Sequence, residues 1–190
     1  MTHIKEQFSD RDWSFLAHLP STVGVWMANQ DTGGGQRAAI RARAALETAL
    51  LKVREKYAGI PLLAELTSTL TSETPQWANV LQDCQTAQSL LKSRTDVTTL
   101  NCFRLMLIDI AEAVARAAPN GEMKVRNLYN GPKRGWLGLY PLMANAVRFG
   151  RGPNVTRTEK MAINALIKAL GAGALVQDWE LDPFRELNQA

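Results

Sequence analysis

Hydrophobic residues recur at intervals of three and four along most of the chain, which is the spacing of one face of an α-helix. No stretch shows the two-residue alternation that is typical of a half-buried strand. The pattern therefore predicts an all-α, single-domain bundle of about seven to nine helices. The predicted helices cover residues 9–18, 21–29, 36–57, 61–71, 74–92, 96–118, 142–149, 156–171 and 181–188.

Capping residues mark two of the predicted helix starts. Ser9 can cap the first helix, and Asp12, three residues later, provides an acidic version of the capping box. Phe8 and Trp13 have the spacing of a hydrophobic staple across the same start. Residues 156–159, Thr-Arg-Thr-Glu, form a full capping box and predict a second well-defined start.

A proline divides the N-terminal helical pattern. Pro20 disfavours helical geometry at Leu19, so the first helix is expected to end near His18. A separate short helix is then expected over residues 21–29.

Residues 96–118 form the most apolar of the predicted helices. With residues placed every 100°, six of its polar side chains fall within roughly 140° of one another. These side chains are Thr98, Asn101, Arg104, Asp109, Glu112 and Arg116. The rest of the circumference is apolar, so we expect a central helix that packs on several neighbours.

The acidic pair Asp109 and Glu112 admits two interpretations. Carboxylates three residues apart could serve acid–base chemistry or bind a cation. No third group lies nearby in sequence, which favours a solvated stripe carrying a Glu112–Arg116 pair with i, i+4 spacing.

Other candidate chemistry is incomplete. His3 and His18 are the two histidines, and neither lies in a nucleophile motif. The run Gly33–Gly35 could present backbone N–H groups to an anion beside Arg37. No Walker or dinucleotide pattern accompanies it, so an interhelical turn is the favoured interpretation.

Composition fits a globular protein of the cytoplasm. The chain has 190 residues, of which 46% are hydrophobic and 21% charged, close to the globular average. Its apolar runs are shorter than the roughly 18 residues that a membrane span needs, and its polar N-terminal residues are unlike a signal peptide. The two cysteines form no CxxC motif, which argues against structural zinc and is compatible with a reducing compartment.

Positive charge is concentrated in one part of the chain. Eight Lys and Arg stand against two Glu between Gly121 and Lys160, a local net charge of +6. Because the whole chain carries +4, the remaining residues sum to −2. Residues 119–154 also contain many glycines and prolines, and they are predicted to form a long loop with one short helix. Loops of this length inside a domain are usually functional or partly disordered.

We call residues 119–154 the basic segment, and its cationic and aromatic side chains are the candidate binding site. They are Lys124, Arg126, Tyr129, Lys133, Arg134, Trp136, Tyr140, Arg148 and Arg151. Three interpretations fit this mixture: packing on the chain's own body with solvated charges, binding of a protein partner, or binding of nucleic acid or another polyanion. Cations attract phosphates and aromatic rings stack on bases, but no recognised nucleic-acid motif is present.

Residues 114–118 end an apolar helix, and residues 155–171 form a later helix that opens with a capping box. This pair resembles the tellurite-resistance TerB-like family, in which an apolar helix runs into a short acidic turn and a second helix follows. Residues 23–33, followed by the helix from residue 36, resemble the same arrangement in the first half of the family's fold. The resemblance implies an all-helical fold of two similar halves.

The chain departs from that family at the acidic turns, whose carboxylates suggest cation binding. Asp31 and Glu159 are the carboxylates near the expected positions, and hard cations need several carboxylate oxygens. No metal site, cofactor or catalytic set is therefore expected. The sequence predicts a non-enzymatic interaction module that binds a protein partner through the basic segment, with nucleic-acid or polyanion binding as the alternative.

Overall fold

The computed structural model describes residues 4–30, 35–68, 79–116 and 155–176. Within these ranges the chain is helical and contains no strand. Six α-helices are present: α1 (Asp10–Ala28), α2 (Gly35–Lys56), α3 (Pro61–Ser68), α4 (Val80–Lys92), α5 (Val97–Ala115) and α6 (Arg157–Ala169). Short 3-10 helices lie at Ile4–Gln7 and Gly173–Val176.

Helix α5 lies at the centre of the bundle, as the sequence predicts. It contacts α1, α2, α3, α4 and α6, and side chains on most of its circumference are buried, among them Phe103, Met106, Leu107 and Ile110. Each such side chain contributes about 1.5–3 kcal/mol when it leaves water. One continuous core joins residues of all six helices around α5.

The N-terminal end of α1 forms as its sequence predicts. Ser9 is the N-cap, and its Oγ accepts a hydrogen bond of 3.1 Å from the Asp12 backbone N–H. The Phe8 and Trp13 rings pack with centroids 5.9 Å apart, which confirms the hydrophobic staple. Arg94, just beyond α4, donates to Asp12 Oδ2 at 3.2 Å and stacks over the Phe8 ring. These contacts fasten the start of α1 to the end of α4.

The predicted helix end near His18 is wrong, because α1 continues through Pro20 to Ala28. An internal proline costs about 3 kcal/mol. Leu16, Leu19, Val23 and Met27 share one stripe of the uninterrupted helix, and all four are at most 2% exposed. Keeping that stripe buried stabilises the helix by more than the proline costs.

Helices α1 and α2 approach closely at a glycine. A Cβ atom at Gly24 would overlap the end of the Leu46 side chain, so Leu46 occupies space that the glycine leaves open. Helix α2 runs from Gly35 to Lys56, which confirms the prediction of one long helix, and Val53 and Tyr57 extend its buried face.

The remaining predictions are met only in part. Helix α3 ends at Ser68 and helix α4 begins at Val80, while residues 69–78 lie outside the described residues. The predicted helices at 142–149 and 181–188 also lie outside them.

No helix in the described ranges has both the length and the apolarity that crossing a membrane requires.

Helix α6 has a defined start and a defined end. Thr156 and Glu159 form the predicted capping box, in which each side chain binds the backbone N–H of the other residue. At the other end Gly171 adopts φ of 55°. The Gly171 N–H donates to Lys168 O, and the Ala172 N–H donates to Ile167 O. These two bonds form a Schellman motif.

We expect Gly171→Ala to lower the free energy of unfolding by about 1–2 kcal/mol, because a Cβ is disfavoured at positive φ. The new methyl group would also lie 3.3 Å from Gln88 Oε1. Chemical denaturation checks this value. Gly59→Ala is the matched control, since a Cβ there meets nothing within 4 Å. Equal stability of the two variants would contradict a structural role for the left-handed glycine.

Candidate functional site

The nine candidate binding residues of the basic segment lie outside the described residues, as do His3 and Asp31. The structure does define both attachment points of this segment. Arg116, which precedes it, is the C-cap of α5, and Thr156, which follows it, is the N-cap of α6. Helices α5 and α6 pack against each other. The basic segment therefore connects two neighbouring helices of the core.

The polar stripe of α5 is not a solvated face, which corrects the sequence interpretation. Glu112 is buried, Asp109 and Arg116 are largely covered, and Thr98 is the exposed member of the stripe. Five neighbouring helices contact α5 and cover most of its length. Asp109, Arg104 and Glu112 each form a hydrogen bond with another side chain of the protein.

Asp109 joins α5 to the C-terminal end of α2. Its Oδ2 accepts a hydrogen bond of 2.5 Å from Lys56 Nζ and one of 2.7 Å from Tyr57 Oη. The Lys56 and Asp109 side chains are only 13% and 14% exposed. Coulomb attraction in this setting is stronger than at a free surface, because little water screens it. These two hydrogen bonds hold α5 and the end of α2 together.

Glu112 lies one turn further along α5 and is 5% exposed. Its Oε2 accepts a long hydrogen bond of 3.5 Å from Arg116 Nη2, which confirms the predicted i, i+4 pair. Burial raises the pKa of the Glu112 carboxyl to about 8, an effect that the nearby positive charges of Arg116 and Lys56 offset only in part. Glu112 is therefore a largely neutral carboxylic acid at pH 7.

Sequence reasoning missed Lys56 and Tyr57 as partners of Asp109. A signal was present: Asp109 stands between Ile108 and Ile110 in a helix that is apolar around most of its circumference. A carboxylate in such a position needs a cation or hydroxyl donor when the helix is central. Nothing in the sequence specified which helix supplies that donor.

A second polar cluster joins α4, α5 and α6. Arg104 donates to Asn101 Oδ1 at 3.1 Å and also to Gln88 Oε1. Gln88 Nε2 in turn donates to the Ala169 carbonyl at 2.7 Å. That carbonyl belongs to the last turn of α6, where backbone acceptors have no partner within the helix. The cluster thus satisfies a helix end while it ties three helices together.

The described residues do not bring a metal site together. No group of three or more His, Cys, Asp or Glu side chains with suitable geometry occurs among them. Glu159 Oε2 is engaged by the Thr156 backbone N–H at 2.8 Å and by the Thr156 hydroxyl at 2.9 Å. Its role in this structure is to cap α6.

The remaining candidates have structural partners or lie in the core. The His18 ring nitrogen Nδ1 is 2.6 Å from the carbonyl of Ser14 on the same helix. Cys84 and Cys102 are buried free thiols, and burial raises the pKa of Cys84 to about 12. A thiol with such a pKa is protonated at neutral pH and therefore a poor nucleophile. Gly33 and Gly34 lie outside the described residues.

We expect Asp109→Ala to lower the free energy of unfolding by about 3 kcal/mol, because it leaves the Lys56 cation covered and without its carboxylate. The matched control is Glu47→Ala, which breaks the exposed Arg43–Glu47 pair on α2. That change should cost less than about 0.5 kcal/mol. Urea denaturation of both variants provides the comparison. Similar losses would show that the buried pair contributes no more than a surface pair.

Comparison with protein families, with curated proteins and with solved structures finds no match to this chain. A function must therefore be argued from its own residues. The described part of the chain offers interhelical polar clusters at Asp109 and Arg104, a buried acid at Glu112, and two packed helices that flank the basic segment along the chain.

Proposed function

We propose that this protein is a non-enzymatic helical interaction module that binds a protein partner through the basic segment, residues 119–154. The observation that carries the proposal is the concentration of positive charge, a net +6 between Gly121 and Lys160 in a chain whose other residues sum to −2. Such a charge distribution attracts an acidic surface and accelerates its encounter with the protein.

The helical body supports this division of roles. Its less exposed charged groups are engaged in holding helices together, as in the Lys56–Asp109 pair and the Arg104–Gln88 contact. Glu159 caps a helix in the same way. Charged side chains that form such contacts stabilise the scaffold. Their use in this way favours a role for the helical body other than catalysis.

The attachment of the basic segment also supports the proposal. It begins after the C-cap of the central helix α5 and ends before the capping box of α6. The two helices that flank it along the chain, α5 and α6, pack against each other in the core. Binding segments on rigid scaffolds commonly have this organisation.

The alternative is binding of nucleic acid or another polyanion by the same segment. Its Lys and Arg side chains alternate along the chain with Tyr129, Trp136 and Tyr140. Cations provide salt-dependent attraction to phosphates, and aromatic rings offer stacking surfaces for bases. The support for this alternative is the composition of the segment, and we rank it second because no nucleic-acid motif accompanies that composition.

Two further proposals concern the whole chain. We propose that residues 1–190 form one domain of seven to nine helices, which the single core shared by the six described helices supports. The resemblance of residues 114–118 and 155–171 to the TerB-like family supports a fold of two similar halves.

A fourfold variant tests the proposed function: Lys133, Arg134, Arg148 and Arg151 are all replaced by alanine. We expect it to lose a protein that co-purifies from native lysate with the unmodified chain, because the attractive charge is removed. The matched control replaces Arg11, Arg43, Arg54 and Lys92, four exposed cations of the helical body, and should retain that protein. Retention on heparin and on single-stranded DNA is measured in parallel.

Each outcome decides between the proposals. A protein lost by the segment variant and kept by the control supports partner binding. If only heparin or DNA retention is lost, the polyanion alternative is correct. If neither variant changes any interaction, the basic segment is not a binding site. A deletion of residues 121–152 that abolishes cooperative unfolding would assign the segment to the core instead.

A further inference from the structure

Glu112 occupies an unusual position near the end of α5. Its carboxyl is almost fully buried, and Arg116 Nη2 contacts one of its oxygens at the long distance of 3.5 Å. The other oxygen, Oε1, is buried without a hydrogen-bond partner among the residues that the structure describes. A buried acceptor without a partner costs roughly 1–3 kcal/mol, and more when the group is charged.

The charges around Glu112 come from two helices. Asp109 and Arg116 lie on its own helix, and Lys56 lies on α2. Lys56 is already paired with Asp109 at 2.5 Å. These three residues exert the largest charge effects on the Glu112 carboxyl. Asp109 therefore neutralises part of the positive charge that would otherwise stabilise an ionised Glu112.

Arg116, at the end of the helix, is more exposed than Glu112, with side-chain exposures of 22% and 6%. The backbone carbonyl of Glu112 accepts the Arg116 N–H at 3.0 Å, and Arg116 is the C-cap of α5. Opening this final turn would break the Arg116 N–H bond to Glu112 and would let water reach the carboxylate. Helix ends open locally at a much lower free energy than the whole fold.

We propose that Glu112 is a proton-operated latch on the last turn of α5: the neutral acid keeps the turn packed, and the ionised acid drives it open. The opening would take place where the chain enters the basic segment. The latch goes beyond the function proposed above and does not require it, because it concerns only the equilibrium between the closed and open turn.

The direction of the pH effect follows from proton binding. In the closed turn the pKa of Glu112 is raised to about 8, whereas a hydrated glutamate has a pKa of about 4.3. Between these values the closed form holds one proton more than the open form. The closed form therefore loses stability as pH rises through this range, and the effect levels off above the higher pKa.

Two measurements on the full chain test the latch. Carbon-13 NMR follows the Glu112 carboxyl titration directly. Amide hydrogen exchange, corrected for intrinsic rates, reports the opening of residues 113–116. In the unmodified protein, protection of these amides should fall by about tenfold per pH unit between about pH 5.5 and 7.5, as expected for one released proton. In Glu112→Gln protection should be independent of pH.

The matched control is Glu47→Gln, an identical substitution at an exposed position of α2, which should keep the slope of the unmodified protein. Equal slopes in the unmodified protein and Glu112→Gln would overturn the latch. A Glu112 titration below pH 6 would also overturn it, and this measurement decides the question even if Glu112→Gln does not fold.

Discussion

The structure depends above all on the burial of α5. This helix contacts the five other α-helices of the described chain, and Phe103, Met106 and Leu107 are completely removed from water. Every neighbouring helix gains stability by placing its own apolar stripe against α5. The same demand explains why α1 continues through Pro20, since breaking there would expose part of a stripe that faces the core.

Burying a helix on so many sides creates a second requirement. The polar side chains of α5 must find partners inside the protein, because water does not reach them freely. Asp109 accepts hydrogen bonds from Lys56 and Tyr57 at the end of α2. Arg104 donates a hydrogen bond to Gln88 of α4. Glu112 is less well satisfied. We therefore expect the last turn of α5, beside the basic segment, to open at a lower free energy than the rest of the helical body.

Features specified by neighbouring residues could be predicted from the sequence. The capping box of α6, the Ser9 cap and the Phe8–Trp13 staple depend on side chains only a few positions apart. The apolar circumference of α5 likewise identified the central helix. In these cases local chemistry and the final packing require the same structure.

Features that depend on distant partners could not be predicted in the same way. The angular position of Asp109 and Glu112 indicated one helix face but not the α2 side chains that cover it. The rule for Pro20 was local, and tertiary burial outweighed it. For the basic segment the sequence supplied composition and charge, and the structure adds the two helix ends that flank it along the chain.

Native-state hydrogen exchange across all six helices tests the central role of α5 most directly. Amides from Leu100 to Ile110 should exchange only when the whole protein unfolds, so their opening free energy should equal that obtained from urea denaturation. Amides of α2, α4 and α6 should exchange at that value or below it. If residues 100–110 open at a lower free energy than those helices do, α5 is not the element on which the fold depends.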